Sequence, residues 1–291
     1  MRQNWRKFIF TLLVLAEITI LAIFSPVLAE VFADFVIPGQ LSLVESGLAK
    51  DQEFLLAQAR RLANNDSILQ AIADKDHAGL IDITIQEHKT TGVSDIIVSD
   101  SDGRVISRTI QPTTYGDYIY ERTAWGRKIA AGEEIASFEE TPAISLLLVA
   151  GVPVPQENSF SPGGIFVGYR ADDAYAINFQ KNYLPVGARV AIYNQKGSIF
   201  GTNLDSQLDR DALSLYLQDR MSRGELLSVG HDWQKNVKLN GVPYNFQNLP
   251  LLNSDGRFIG GFLLLMPLRT FPVSIMISAF FTTIFLFASP I

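Results

Sequence analysis

The densest group of chemically capable side chains lies between Thr113 and Trp125, where Tyr115, Tyr118, Tyr120, Arg122 and Trp125 occur in one short polar stretch. Aromatic rings with a guanidinium beside them can stack on and hydrogen-bond a small carboxylate or amine. The same residues can instead cap a sheet, since tyrosine is common on half-buried surfaces. Arg108 stands just upstream on a β-prone run. Pointing inward, it needs a carboxylate partner, either a ligand or Glu139/Glu140, because an unpaired buried charge is very costly. Pointing outward, it is an ordinary surface arginine. The alternation of Val105, Ser107 and Thr109 against Ile106 and Arg108 does not decide between the two. Tyr169 and Asp173 follow a later β-prone run, where they either close a pocket floor or act as strand-edge and helix N-cap residues.

Other chemistries find no support. Asp100-Ser101-Asp102-Gly103 invites a calcium reading, but an EF-hand frame would put Val98 first and Thr109 at the bidentate Glu position, so a hairpin turn is expected. His77, His88 and His231 are isolated, without metal-ligand spacing. There is no cysteine, hence no disulfide, Cys-ligated metal or thiol nucleophile. The paired acids Glu133-Glu134 and Glu139-Glu140 fall at strand ends, and no phosphate loop, nucleophile elbow or kinase loop occurs. A net charge of −6 argues against nucleic acid as a partner. The residues point to binding, with no enzyme activity, cofactor or metal expected.

These side chains sit within a 291-residue chain whose apolar excess is concentrated at its ends. Phe8–Ala29 contains one charge, Glu17, and as a helix would span roughly 33 Å. A cleaved signal peptide ending at Val27-Leu28-Ala29 is the alternative, though the run exceeds the usual length of such segments. Phe271–Ile291 is uncharged and reads as a second span. Arg2, Arg6 and Lys7 place the N-terminus in the cytoplasm, so two spans return the C-terminus there and leave the middle of the chain outside. The expected divisions are a cytoplasmic 1–7, spans at 8–29 and 271–291, a helical stalk at 30–92, and modules at 93–185 and 186–270.

The stalk shows helical periodicity in Leu41, Val44, Leu48, Leu55, Leu62, Leu69 and Ile72, with an N-cap signal at Asn64-Asn65-Asp66-Ser67 and a further helix near Ala78–His88. Strands are then predicted at Asp95–Ser99 and Arg104–Thr109, a helix around Arg122–Ala131, strands near Glu134–Glu139, Ile144–Val154 and Gly164–Arg170, and a helix from Asp172 to Tyr183. The pattern restarts 94 residues on with a hairpin at Arg189–Thr202 and a helix at Ser206–Met221. Strands follow near Leu226–Asp232, Pro243–Leu249 and Arg257–Met266. Pro153 precedes Gly163-Gly164 by the spacing at which Pro250 precedes Gly260-Gly261. The fold class is α+β: two tandem antiparallel-sheet modules on a long N-terminal helix, flanked by two transmembrane helices.

The run Ser99-Asp-Ser-Asp-Gly-Arg-Val-Ile-Ser-Arg108-Thr, continued in Tyr115-Gly116-Asp117, then Leu147–Val154 and Gly163-Gly164-Ile-Phe-Val-Gly168-Tyr169, resembles the double Cache (dCache) sensory domains of bacterial transmembrane receptors. The resemblance implies two PAS-like modules, with the membrane-distal one binding a small molecule between its sheet and the segment that here is Thr113–Trp125. On that basis Arg108, Tyr115, Tyr118, Tyr120, Arg122, Trp125, Tyr169 and Asp173 are the candidate ligand contacts, for a ligand such as a carboxylate or amine. The amino-acid signature of some dCache domains has tighter Arg-x-Trp-Tyr spacing. Here two residues separate Arg122 from Trp125, and no tyrosine follows. The family further implies a homodimer through the long helix and a cytoplasmic kinase, chemotaxis or cyclic-nucleotide output. No such module follows Ile291, so the output is expected on a partner protein or beyond a truncation. A membrane-anchored envelope interaction protein without a pocket is the alternative.

Overall fold

A computed structural model describes residues 38–141, 145–154, 163–225, 234–239 and 241–267. It opens with α1 (Pro38–Ala63), which presents Leu41, Val44, Leu48, Leu55 and Leu62 to the interior at the spacing of one helix face. Arg60 and Arg61 occupy its last turn, where cations favour the helix dipole. Asn65 then caps α2 (Asp66–Ala73) by accepting from the Ser67 and Ile68 amides, as the sequence predicts. α3 (His77–Thr91) ends where Gly92 takes up the left-handed conformation that a side chain would resist. Among the described residues no helix is long and apolar enough to cross a membrane. Both predicted spans, 8–29 and 271–291, lie outside them.

Two five-stranded antiparallel sheets follow. The first is built from β1 (Asp95–Ser99), β2 (Val105–Arg108), β3 (Ile135–Thr141), β4 (Ser145–Val154) and β5 (Gly163–Arg170), in the order β2-β1-β5-β4-β3. The second uses β6 (Arg189–Asn194), β7 (Ile199–Thr202), β8 (Gln234–Leu239), β9 (Val242–Leu252) and β10 (Phe258–Pro267), in the order β7-β6-β10-β9-β8. These orders are the same when each sheet is counted from its own first strand. The strand predicted at Leu226–Asp232 falls outside the described residues, which resume with β8.

The repeat extends to single hydrogen bonds. In the first hairpin Asp100 Oδ1 accepts from the Asp102 and Arg104 amides; 94 residues later Asn194 Oδ1 accepts from those of Lys196 and Ser198. Gly103 and Gly197 carry φ of +76° and +74°. The turn reading of Asp100–Gly103 is therefore the observed one.

Between β2 and β3 an additional short helix, α4 (Ile119–Arg122), precedes α5 (Ala124–Ala130), which is the helix predicted around Arg122–Ala131. Thr123 between them is extended. Its hydroxyl donates to the Ile119 carbonyl and accepts from the Gly126 amide, so one side chain ends the first helix and caps the second. These helices cover one face of the first sheet, packing Ile119, Trp125 and Ile129 onto Ile97, Val149 and Phe166. The opposite face packs Ile96, Val98, Leu148 and Val167 against the α1–α3 helices. In the second sheet, α6 (Asp173–Tyr183) lies on the side joined to that same core. α7 (Gln207–Ser222) covers the other face with Leu213 and Leu217.

Candidate ligand-binding site

Arg108 reaches the α4–α5 side of the first sheet because of a β-bulge. The β1–β2 register pairs Ser99 with Val105, Val98 with Ser107 and Ile97 with Arg108, leaving Ile106 as the extra residue. Strict alternation would put Arg108 on the face opposite Val105. The bulge returns it to the face of Val105 and Ile97, and this is why alternation in the sequence could not orient it. There Arg108 lines a cavity of about 850 Å³ with Asp95, Asp117, Tyr118, Arg122, Trp125 and Glu139, a volume suited to a small-molecule site. The loop before α4 supplies the near wall. The Val105 amide donates to the Asp117 carbonyl, and the Gly116 amide donates back to that of Val105, so the loop runs as an added edge beside β2.

Three polar groups on residues that line this cavity are buried and have no hydrogen-bond partner among the described residues: Asp95 Oδ2, Arg108 Nε and Trp125 Nε1. Such groups are rare in folded proteins and call for an explanation. Arg108 is 9% exposed and donates through Nη2 to Asp117 Oδ1 at 2.6 Å. Asp95 is 1% exposed, and its Oδ1 accepts from the Ile110 amide at 3.0 Å. Burial pushes the Asp95 carboxyl up to about 6; the Ile110 hydrogen bond and the Arg108 charge oppose that rise. Trp125 rests edge-on against Phe166 at 4.6 Å. The cavity is thus lined by charged and apolar residues together, and two N–H donors and one carboxylate oxygen on those residues lack partners.

The family model described as a double sensory domain of two-component sensor kinases (dCache_3) matches residues 40–271. The chain belongs to the dCache family. Its members are extracytoplasmic sensing parts of membrane receptors. Solved sensor domains share the dCache fold. A domain of a putative sensory box/GGDEF protein from Vibrio parahaemolyticus has TM-score 0.53 at 13% identity, covering 82% of this chain and 96% of that one. The periplasmic domain of Vibrio cholerae LuxQ has TM-score 0.51 at 13% identity, with coverage of 79% and 98%. The sensor domain of the V. cholerae histidine kinase DctB has TM-score 0.50 at 14% identity, with coverage of 84% and 98%. At these identities the likeness concerns the fold alone. No curated protein matches the chain in sequence.

Of the eight candidate contacts, this dCache structure brings Arg108, Tyr118, Arg122 and Trp125 to the cavity and places the other four elsewhere. Tyr115 is 52% exposed and lies tilted against the His77 ring of α3, with ring centroids 3.6 Å apart. Tyr120 is buried beneath Gly103, whose missing Cβ would fall 2.2 Å from the tyrosine ring, and its phenol is pushed up to about 12 by burial. Tyr169 lies on the opposite face of the sheet, between Phe54 and Tyr175, because Gly168 is the residue of β5 that pairs with Asp95. Asp173 accepts from the Thr202 amide and pairs with Arg210 at 2.8 Å, while the N-cap of α6 is its neighbour Asp172.

The partner of Arg108 is also corrected. It is Asp117, not Glu139 or Glu140; Glu139 Oε1 instead accepts from Ser137 Oγ at 2.8 Å and from the Ser254 amide at 2.7 Å. Sequence reasoning missed Asp95 and Asp117. A charged residue opening the otherwise apolar run Asp95-Ile-Ile-Val was the available signal for the first. Asp117 belongs to the Gly116-Asp117 pair, but its contact with Arg108 depends on a bulge.

Proposed function

We propose that this chain is the ligand-sensing region of a bacterial transmembrane receptor, binding in the cavity of the first sheet a small molecule that carries both a carboxylate and an amine. The observation carrying this reading is the set of unpartnered groups around one cavity. Arg108 Nε and Trp125 Nε1 donate to the carboxylate, and Asp95 Oδ2 accepts from the ammonium. Arg108, Tyr118, Arg122 and Trp125 are the proposed contacts from the sequence, with Asp95 and Asp117 added. Tyr115, Tyr120, Tyr169 and Asp173 support the fold around the site.

In this reading 8–29 and 271–291 span the membrane, both termini are cytoplasmic, and the first module (93–185) is distal while the second (186–270) is proximal. Two chains associate through α1 and act on a cytoplasmic output module or partner protein. Ligand occupancy biases the receptor only by its differential affinity for the two signalling states. The test is thermal unfolding of the intact chain with α-amino acids, the matching amines and the matching acids lacking the amine. A compound at 100 times its Kd adds about 2.7 kcal/mol of stability. The zwitterionic members should stabilise the chain, and folded protein that answers to no compound would favour the envelope interaction protein.

A further inference from the structure

The wall of the cavity is not confined to the first module. Asn253, Arg257 and Phe258 from the β9–β10 turn line it, together with Gln195 and Phe200 from the β6–β7 hairpin. The turn is held there by two contacts. The Ser254 amide donates to Glu139 Oε1 at 2.7 Å, and Asp255 pairs with Arg127 of α5 at 3.4 Å. Glu139 is a buried carboxylate, 3% exposed, on the cavity face of β3. Its bond to Ser254 is thus a charge-assisted one between the modules, shielded from water. Resting on the small-molecule reading above, we propose that the β9–β10 turn is the element through which the second module reads the cavity. The Glu139–Ser254 latch makes the proximal module part of the binding site, and a bound ligand tightens the junction. A ligand whose contacts differ between the tight and loose junction couples the two reciprocally, so loosening the latch must weaken binding.

The turn allows a clean test. The Gly256 amide donates to the Asn253 carbonyl at 2.8 Å, so Ser254 is the second residue of a four-residue β-turn, a position that favours proline. Ser254→Pro therefore deletes the N–H given to Glu139 and keeps the turn, whereas Ser254→Ala retains that N–H. The sequence has no cysteine, so Glu133→Cys and Leu252→Cys, both exposed, accept spin labels cleanly in the intact chain. Pulsed electron resonance should give a narrow inter-module distance in the parent and in Ser254→Ala, and a broadened one in Ser254→Pro. The tightest-binding compound of the panel should narrow the parent distribution further and lose about tenfold or more in affinity for Ser254→Pro. If Ser254→Pro does not fold, Arg127→Glu, which sets like charge against Asp255 on the surface, should broaden the distance in its place. An unchanged distance, or ligand affinity equal in parent and Ser254→Pro, overturns the latch. A panel in which nothing binds overturns the ligand reading, while the ligand-free distances still decide the latch.

Discussion

The two sheets share strand order, hairpin geometry and a β-bulge at equivalent positions, yet the charged cavity described above lies against the first. In the second sheet the bulge falls between the Ile192–Gly201 and Tyr193–Ile199 pairs, so Thr202 stands where Arg108 stands in the first. Thr202 Oγ1 is satisfied locally, donating to the Val190 carbonyl at 2.7 Å. The covering elements differ as well. The first sheet is roofed by the loop of Gly116 and Asp117 and by two short helices, the second by the long α7, which lays Leu213 and Leu217 over Tyr193, Phe246 and Leu265. One backbone plan thus yields a packed core where the cover is a continuous amphipathic helix, and a cavity where it is broken by Thr123.

The largest expected effect on this contrast comes from Arg108→Ala. It leaves Asp95 and Asp117 without their cation, which should cost about 3 kcal/mol in denaturant unfolding and lower ligand affinity on the order of 100-fold. The equivalent Thr202→Ala should leave affinity unchanged. Next is the matched pair Gly103→Ala and Gly197→Ala. Each forces a side chain into the left-handed region, and a Cβ would fall 2.2 Å from Tyr120 Cγ in the first and 2.6 Å from the Gln218 backbone nitrogen in the second. Both should lose about 3 kcal/mol. Gly103→Ala alone should also weaken binding, because Tyr120 belongs to the core that carries Trp125.

The third effect is pH-dependent. The folded Asp95 carboxyl titrates near 6, above its ordinary 3.8, so the folded state holds the proton more tightly. This stabilisation is full below about pH 4 and is lost as pH rises through 6, a fall of up to about 3 kcal/mol. Asp95→Asn should flatten that part of the stability–pH profile. A ligand ammonium favours the ionised carboxylate, so affinity should rise with pH across the same window. A ligand whose affinity instead falls would be a carboxylic acid received by protonated Asp95. The smallest effect is Asp173→Ala. It removes a half-exposed pair with Arg210 and one backbone bond at Thr202, and should cost about 1 kcal/mol without altering affinity.

Much of this fold is written in local pattern. The 94-residue repeat, the turns at Gly103 and Gly197, the Asn65 cap and the buried stripe of α1 follow from residue type and spacing. The site was legible only in part, because its geometry depends on events that leave periodicity behind. The β2 bulge turns Arg108 onto the cavity face, and Thr123 ends an additional short helix, α4, just ahead of the predicted one. Tyr169 shows the converse. It is one residue beyond Gly168, the partner of Asp95, and that single step moves it through the sheet to the face of α1.

Calorimetric titration of the intact chain with the same panel, run in parallel on Arg108→Ala and Thr202→Ala, tests the first cavity as the ligand site most directly. At least one compound bearing both an ammonium and a carboxylate should bind the parent and Thr202→Ala alike and lose about two orders of magnitude on Arg108→Ala. A ligand that binds all three equally, or that is lost only in Thr202→Ala, would contradict the assignment.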